Sequence, residues 1–167
     1  LEAAAIRIGD RVLDVGCGFG DFLGYLTEAG KQVEYTGIDI NPDIVSEARK
    51  RYPGVRFECQ DLTEQRVDGH FDYVIESGIF NHKLSDNERF MRDMLSAMFD
   101  HCVSAVAANM MTSYVDYRED HLFYSDPGAA LGFAKELSRF TSIRHDYPLY
   151  EFTLFVYKLG RFSNCTG

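Results

Sequence analysis

Val12-Leu13-Asp14-Val15-Gly16-Cys17-Gly18-Phe19-Gly20-Asp21 reads as a strand that runs into a glycine-rich turn and opens a helix. Glycine lets a backbone turn sharply and lets a ligand approach without a Cβ in the way. The helix start behind the turn offers free N–H groups and a partial positive charge. The glycines are spaced G-x-G-x-G, whereas a dinucleotide site needs G-x-G-x-x-G. The third glycine of that motif would fall on Asp21, a poor neighbour for a pyrophosphate. No Gly-Lys-Ser/Thr follows, so a P-loop is excluded. The expected ligand is a nucleoside without phosphates.

The chain on either side alternates strand and helix. After the strand Arg11–Val15, apolar residues at helical spacing give a helix over Phe19–Ala29, stopped by Gly30. A strand over Val33–Ile40 follows, and Asn41-Pro42 caps and opens a helix over Asp43–Tyr52. Val55–Cys59 and Phe71–Glu76 read as strands. Ser85, with Glu88 three residues on, reads as the capping box of a helix over Asn87–His101, whose stripe includes Met91, Met94 and Met98. Val103–Ala108 is apolar throughout, as a strand covered on both faces should be. A long loop over Asn109–Asp126 precedes a helix from Pro127 to Arg139. Thr141–Tyr147 and Glu151–Lys158 read as strands joined by a tight turn at Pro148-Leu149. The expected fold is α/β: a doubly wound, mostly parallel seven-stranded sheet closed by a C-terminal antiparallel hairpin. Residues 1–162 are expected to form one domain and 163–167 a tail.

Carboxylates gather where those strands end. Asp39 ends the second strand 23 positions after Gly16, where a carboxylate can accept from both ribose hydroxyls. Gln60-Asp61-Leu62 follows the third strand, and Glu76-Ser77-Gly78 ends the fourth. With Asp14 this brings four carboxylates to one carboxyl-end crevice, which favours a ligand with positive charge. The whole chain of 167 residues has 26 Asp and Glu against 17 Lys and Arg, a net charge of −9 that disfavours a broad nucleic-acid footprint. A composition of 46% hydrophobic and 26% charged residues excludes disordered, collagen-like and coiled-coil classes. No window approaches the ~20 apolar residues of a membrane span. Cys17, Cys59, Cys102 and Cys165 have no C-x-x-C spacing, so reduced thiols in a cytoplasmic protein are expected.

Val12–Gly20, Gly37–Pro42, Gln60-Asp61-Leu62 and Phe71–Ser77 together resemble the class I S-adenosylmethionine-dependent methyltransferases, over roughly residues 6–158. The resemblance implies a Rossmann-like methyltransferase fold and S-adenosyl-L-methionine as cofactor, a ligand with net positive charge and no phosphate. It implies that Asp14 and the turn Gly16, Cys17, Gly18, Phe19 and Gly20 line its methionine and ribose portion. Asp39 would hold the ribose hydroxyls, Ile40 would pack on the adenine, and Asp61 would accept from the adenine amino group beside the Leu62 N–H. Glu76 and Ser77 would lie near the methionine end. The segment from Tyr114-Val115-Asp116-Tyr117-Arg118 to Tyr150-Glu151-Phe152 is similar to a bacterial subgroup of these enzymes. The family usually has helices before the first strand that cover the site. Only Leu1–Ile8 stands there, so the cover is expected from chain outside this sequence, from another subunit, or from the Asn109–Asp126 loop.

The expected activity is methyl transfer to an O- or N-nucleophile of a small molecule, by in-line displacement. The absence of an Asn-Pro-Pro-Tyr signature argues against nucleic-acid bases as acceptors. The expected partners are that acceptor and a second copy of the chain. His82, His121 and Tyr114 are the candidate catalytic residues, each with a purely structural alternative in loop anchoring or aromatic packing. His70 and His101 read as solvent-facing. Asp116, Asp120 and His121 fit no strong metal-ligand spacing, so no metal is expected. A non-catalytic adenosyl-binding module and an NAD-binding domain remain as alternatives.

Overall fold

A computed structural model describes residues 6–159, so the expected tail at 163–167 lies outside the described residues. Seven strands form one sheet: β1 (Arg11–Val15), β2 (Glu34–Asp39), β3 (Arg56–Cys59), β4 (Phe71–Ser77), β5 (Cys102–Met111), β6 (Thr141–Arg144) and β7 (Glu151–Tyr157). Their order across the sheet is β3-β2-β1-β4-β5-β7-β6. The first five strands pair in parallel, and β7 runs antiparallel to both β5 and β6. Among the described residues four α-helices accompany the sheet: α1 (Asp21–Glu28), α2 (Pro42–Arg51), α3 (Asn87–His101) and α4 (Pro127–Leu137). None of the described helices is long and apolar enough to cross a membrane.

The two-residue period of the strands splits the core into two layers. Leu13, Val74, Val106 and Leu154 pack with Met91, Met98 and Phe133 of α3 and α4. The intervening residues Val12, Ile75, Ala107 and Phe155 pack with Leu26, Val45 and Ala48 of α1 and α2 on the other face. Helices on both faces explain why β1, β4 and β5 read as near-continuous apolar runs.

Several local expectations are corrected. Asp86, not Ser85, caps α3, because its carboxylate reaches the Arg89 N–H at 3.0 Å. β5 runs on to Met111 instead of ending at Ala108, because β7 pairs with it as far as Met111 opposite Glu151. This shortens the loop expected over Asn109–Asp126. The hairpin connection is not a tight turn: residues 145–150 separate β6 from β7. His101 is buried, its Nδ1 2.7 Å from the Ala97 carbonyl oxygen while Nε2 accepts from the Val67 N–H. As expected, Asn41 caps α2, accepting from the Asp43 and Ile44 N–H groups, with Pro42 at its first position.

Candidate active site

From β1 the chain winds outward through β2 and β3, then returns to place β4 on the other side of β1. The order reverses there, and the carboxyl ends of β1 and β4 leave a crevice of the kind that takes ligands in open α/β sheets. The turn after β1 forms one rim. Its Gly16 and Cys17 N–H groups donate to the Ile38 carbonyl at 2.8 and 2.9 Å, so the end of β2 holds the start of the turn. Gly18 donates to Asp39 Oδ2 at 3.1 Å, and Asn41 donates to Oδ1 of the same residue at 2.9 Å. Asp39 therefore ties the turn to the start of α2.

Gly16 has φ +71°, and a Cβ there would stand 2.2 Å from Ile79 Cγ2. Gly18 has φ +55° with no heavy atom within 4 Å of such a Cβ, so it faces open space. Only glycine meets both demands, a left-handed backbone and a close approach.

Two cavities open along the sheet edge, and Ser77 lines both. One, about 540 Å³, lies over the ends of β1, β2 and β3; Gly16, Asp39, Ile40, Asp61, Leu62 and His82 line it. The other, about 620 Å³, lies over the ends of β1, β4, β5 and β7. Asp14, Phe22, Glu76, Asn109, Tyr147 and Thr153 are among its walls. The four carboxylates expected in one crevice are thus divided: Asp39 and Asp61 in the first cavity, Asp14 and Glu76 in the second.

Electrostatics separate these pairs. Asp14 is buried and accepts from the Tyr35 hydroxyl at 2.5 Å; burial pushes its carboxyl up to about 7, the Tyr35 bond opposes this, and Asp39 adds to it. Burial also holds Glu76 well above the usual carboxylate range, against the pull of the Ile79 N–H on Oε2. Glu76 Oε1 is buried and meets no donor in hydrogen-bonding geometry among the described residues. Asp61 is half-buried, and its Oδ1 accepts from both the N–H and the hydroxyl of Thr63 at 2.8 and 2.7 Å. Both bonds fall on one oxygen, which leaves Oδ2 for another donor.

The remaining candidates fall elsewhere. Cys17 is buried beneath the turn, and its thiol donates to the Gly18 carbonyl at 3.6 Å. Gly20 packs against Tyr52 and Phe57, and Phe19 is 48% exposed. Neither these three nor Gly18 lines either of the two cavities. His82 is in the cavity with Asp39, not in the one with Asn109. His121 and Tyr114 line neither; Tyr114 is 69% exposed beside the His145 ring, and the His121 carbonyl accepts from the Lys83 N–H.

The second cavity contains groups that the sequence reading did not single out. Asn109 Nδ2 donates to the Tyr147 hydroxyl at 3.2 Å, and that hydroxyl lies 3.0 Å from Thr153 Oγ1. Arg144 and Glu151 complete the polar wall. A signal for them was present. Asn109 interrupts the apolar run of β5, and Glu151 and Thr153 are polar at alternate positions of an otherwise apolar β7. Period-2 polar interruptions inside covered strands mark the end of the core.

The chain matches known proteins in sequence and in fold. A family described as a methyltransferase domain matches residues 12–111. A Mycobacterium tuberculosis (strain ATCC 25618 / H37Rv) protein, Rv1506c, whose name assigns it provisionally to the methyltransferases, is 37% identical over 152 residues, 87% of this chain and 91% of that protein. Trans-aconitate 2-methyltransferase of Rhodopseudomonas palustris (strain BisA53) is 40% identical over 96 residues, 58% of this chain but only 37% of that enzyme. Among solved structures, the fold is shared with the magnesium protoporphyrin IX methyltransferase ChlM from Synechocystis PCC 6803 with bound SAH, at TM-score 0.72, 17% identity and coverage of 95% of this chain and 78% of that one. The SAM-bound amino pentose methyltransferase CalS10 from Micromonospora echinaspora gives TM-score 0.70 at 18% identity, covering 93% and 86%. With the turn after β1, the strand order and these matches in agreement, the chain belongs to the class I S-adenosylmethionine-dependent methyltransferases.

Proposed function

We propose that the chain methylates a small-molecule acceptor at an oxygen or nitrogen nucleophile, with the cofactor's adenosine in the 540 Å³ cavity, its methionine end at the Asp14 and Glu76 side of the 620 Å³ cavity, and the acceptor in the remainder of that cavity. The observation that carries this reading is the pair of cavities meeting at Ser77, one walled by nucleoside-binding chemistry and the other by Asn109, Tyr147 and Thr153. S-adenosylmethionine, when bound, supplies an electrophilic methyl group on a sulfonium.

The residues present fit that group. Glu76 Oε1 is a buried acceptor that meets no donor among the described residues, suited to an ammonium. Gly18 leaves open space at the turn. Asp39 binds the ribose hydroxyls, Ile40 and Leu62 flank the adenine, and Asp61 Oδ2 accepts from its amino group. Asp14 and Glu76 lie at the methionine end. Gly16 lines the cavity beside the nucleoside, Cys17 and Gly20 support the turn from behind, and Phe19 covers it from the solvent side. Holding the two reactants in line is worth about 7–11 kcal/mol of the barrier.

A small-molecule acceptor is supported by the second cavity's volume of about 620 Å³, the size of a small-ligand site, and by the chain's net charge of −9, which repels nucleic acid. Incubation with methyl-labelled S-adenosylmethionine and a metabolite panel tests the reading. Labelled product is expected. Binding of S-adenosylhomocysteine without product from any acceptor class would instead favour a non-catalytic binding module.

A further inference from the structure

We propose that the cavity under the β6–β7 hairpin selects an acceptor bearing an amine beside a hydroxyl group; this rests on the methyl-transfer reading above. Register puts Ser77, Asn109 and Thr153 in one row across β4, β5 and β7. Tyr147 reaches over that row from the hairpin connection, 3.2 Å from Asn109 Nδ2 and 3.0 Å from Thr153 Oγ1. Because the Asn109 amide donates to the phenol oxygen, the phenol proton is left for Thr153 or for a lone pair brought into the cavity. Burial holds the Tyr147 phenol above its ordinary range, so the group stays protonated. The row and its cap therefore offer neutral donors and acceptors, matched to a hydroxyl that both gives and takes.

The charges in the cavity point to the amine. Glu151 stands two positions before Thr153 on the same face of β7, and Asp14 and Glu76 lie at the floor. Arg144 also lines the wall, and its Nε holds Asp146 Oδ1 at 2.9 Å. An ammonium would find Glu151. Phe22, Ile75 and Leu149 provide apolar wall for a carbon skeleton.

The same geometry favours nitrogen as the nucleophile. An ammonium held by Glu151 gives one proton to water. The freed lone pair then forms the N–C bond as the electron pair of the sulfur–methyl bond leaves with sulfur. The N-methylammonium product needs no further proton transfer within the site.

Saturation-transfer NMR on the full chain, saturated with S-adenosylhomocysteine, tests this with three ring probes: an aminocyclohexanol, cyclohexanol and cyclohexanecarboxylate. The amino alcohol is expected to bind most tightly of the three. Tyr147→Phe and Glu151→Gln should each weaken the amino alcohol about tenfold, one hydrogen bond's worth, while S-adenosylhomocysteine affinity stays within about twofold by calorimetry. Binding of the carboxylate as tight as the amino alcohol, or an amino alcohol signal that neither substitution changes, overturns the inference and leaves methyl transfer intact. Failure of S-adenosylhomocysteine to bind the unsubstituted chain overturns both.

Discussion

The two cavities are built in different ways. The one over β1, β2 and β3 is made of short segments that each lie within a few residues of their own strand's end: Gly16 after β1, Asp39 and Ile40 at β2, Asp61 and Leu62 after β3. The one under the hairpin is assembled across long separations. Asn109, Tyr147 and Thr153 meet only because β7 inserts between β5 and β6 and the connection folds back over it. The first is a local device that a chain can carry as fixed motifs. The second is a tertiary product, free to vary with the acceptor while the sheet stays the same.

The largest effect should come from breaking the local device at its tightest point. Gly16→Ala adds a methyl group 2.2 Å from Ile79 Cγ2 at φ +71°. The left-handed backbone costs about 1–2 kcal/mol and the overpacking about 1–3 more. Urea unfolding should show that loss, and calorimetry should show S-adenosylhomocysteine binding largely abolished. Gly18→Ala, with open space around its Cβ, should lose only the backbone share. Equal effects of the two substitutions would contradict the close packing of Gly16.

The next contrast is one of pH. Asp14 titrates near 7 in the fold against 3.8 as its ordinary value, because burial disfavours its charge. Between those values the folded chain keeps a proton that the unfolded chain has released, so stability falls as pH rises through that window and levels off above it. The span is worth up to about 4 kcal/mol. Glu76 acts in the same direction. Asp14→Asn keeps the neutral form, so its stability should fall less over the same range. A profile parallel to that of the unsubstituted chain would place the pH response elsewhere.

Smaller effects sharpen the division between the cavities. Asp39→Ala removes the acceptor for the Gly18 and Asn41 N–H groups and should weaken S-adenosylhomocysteine binding by about 1–3 kcal/mol. Tyr147→Phe should leave that affinity unchanged and cost about 1 kcal/mol at the acceptor side. If Tyr147→Phe weakened cofactor binding as much as Asp39→Ala, the two cavities would be one site.

What the sequence made legible follows the same line. α3 could be bounded from the spacing of Met91, Met94, Leu95 and Met98, because one face of a helix is a local property. Its cap could not be settled that way. Ser85 and Asp86 both suit the position, and only the three-dimensional reach of Asp86 to the Arg89 N–H decides between them. His101 looked solvent-facing until the segment around Val67, 34 residues away, closed over it and donated to its ring. The glycine turn, Asp39 and Asp61 were readable at the ends of strands. Asn109 was read as the start of a loop, because nothing nearby in sequence predicts that β7 would pair with it and carry β5 on to Met111.

A crystal structure with S-adenosylhomocysteine tests the central division most directly. The account predicts adenosine density between Ile40 and Leu62 in the cavity with Asp39, the sulfur at the Ser77 seam, the methionine end beside Glu76, and the Tyr147 side of the hairpin cavity left open. Adenosine seated against Tyr147 and Asn109, or a cavity at Asp39 that stays empty at saturating ligand, would contradict it.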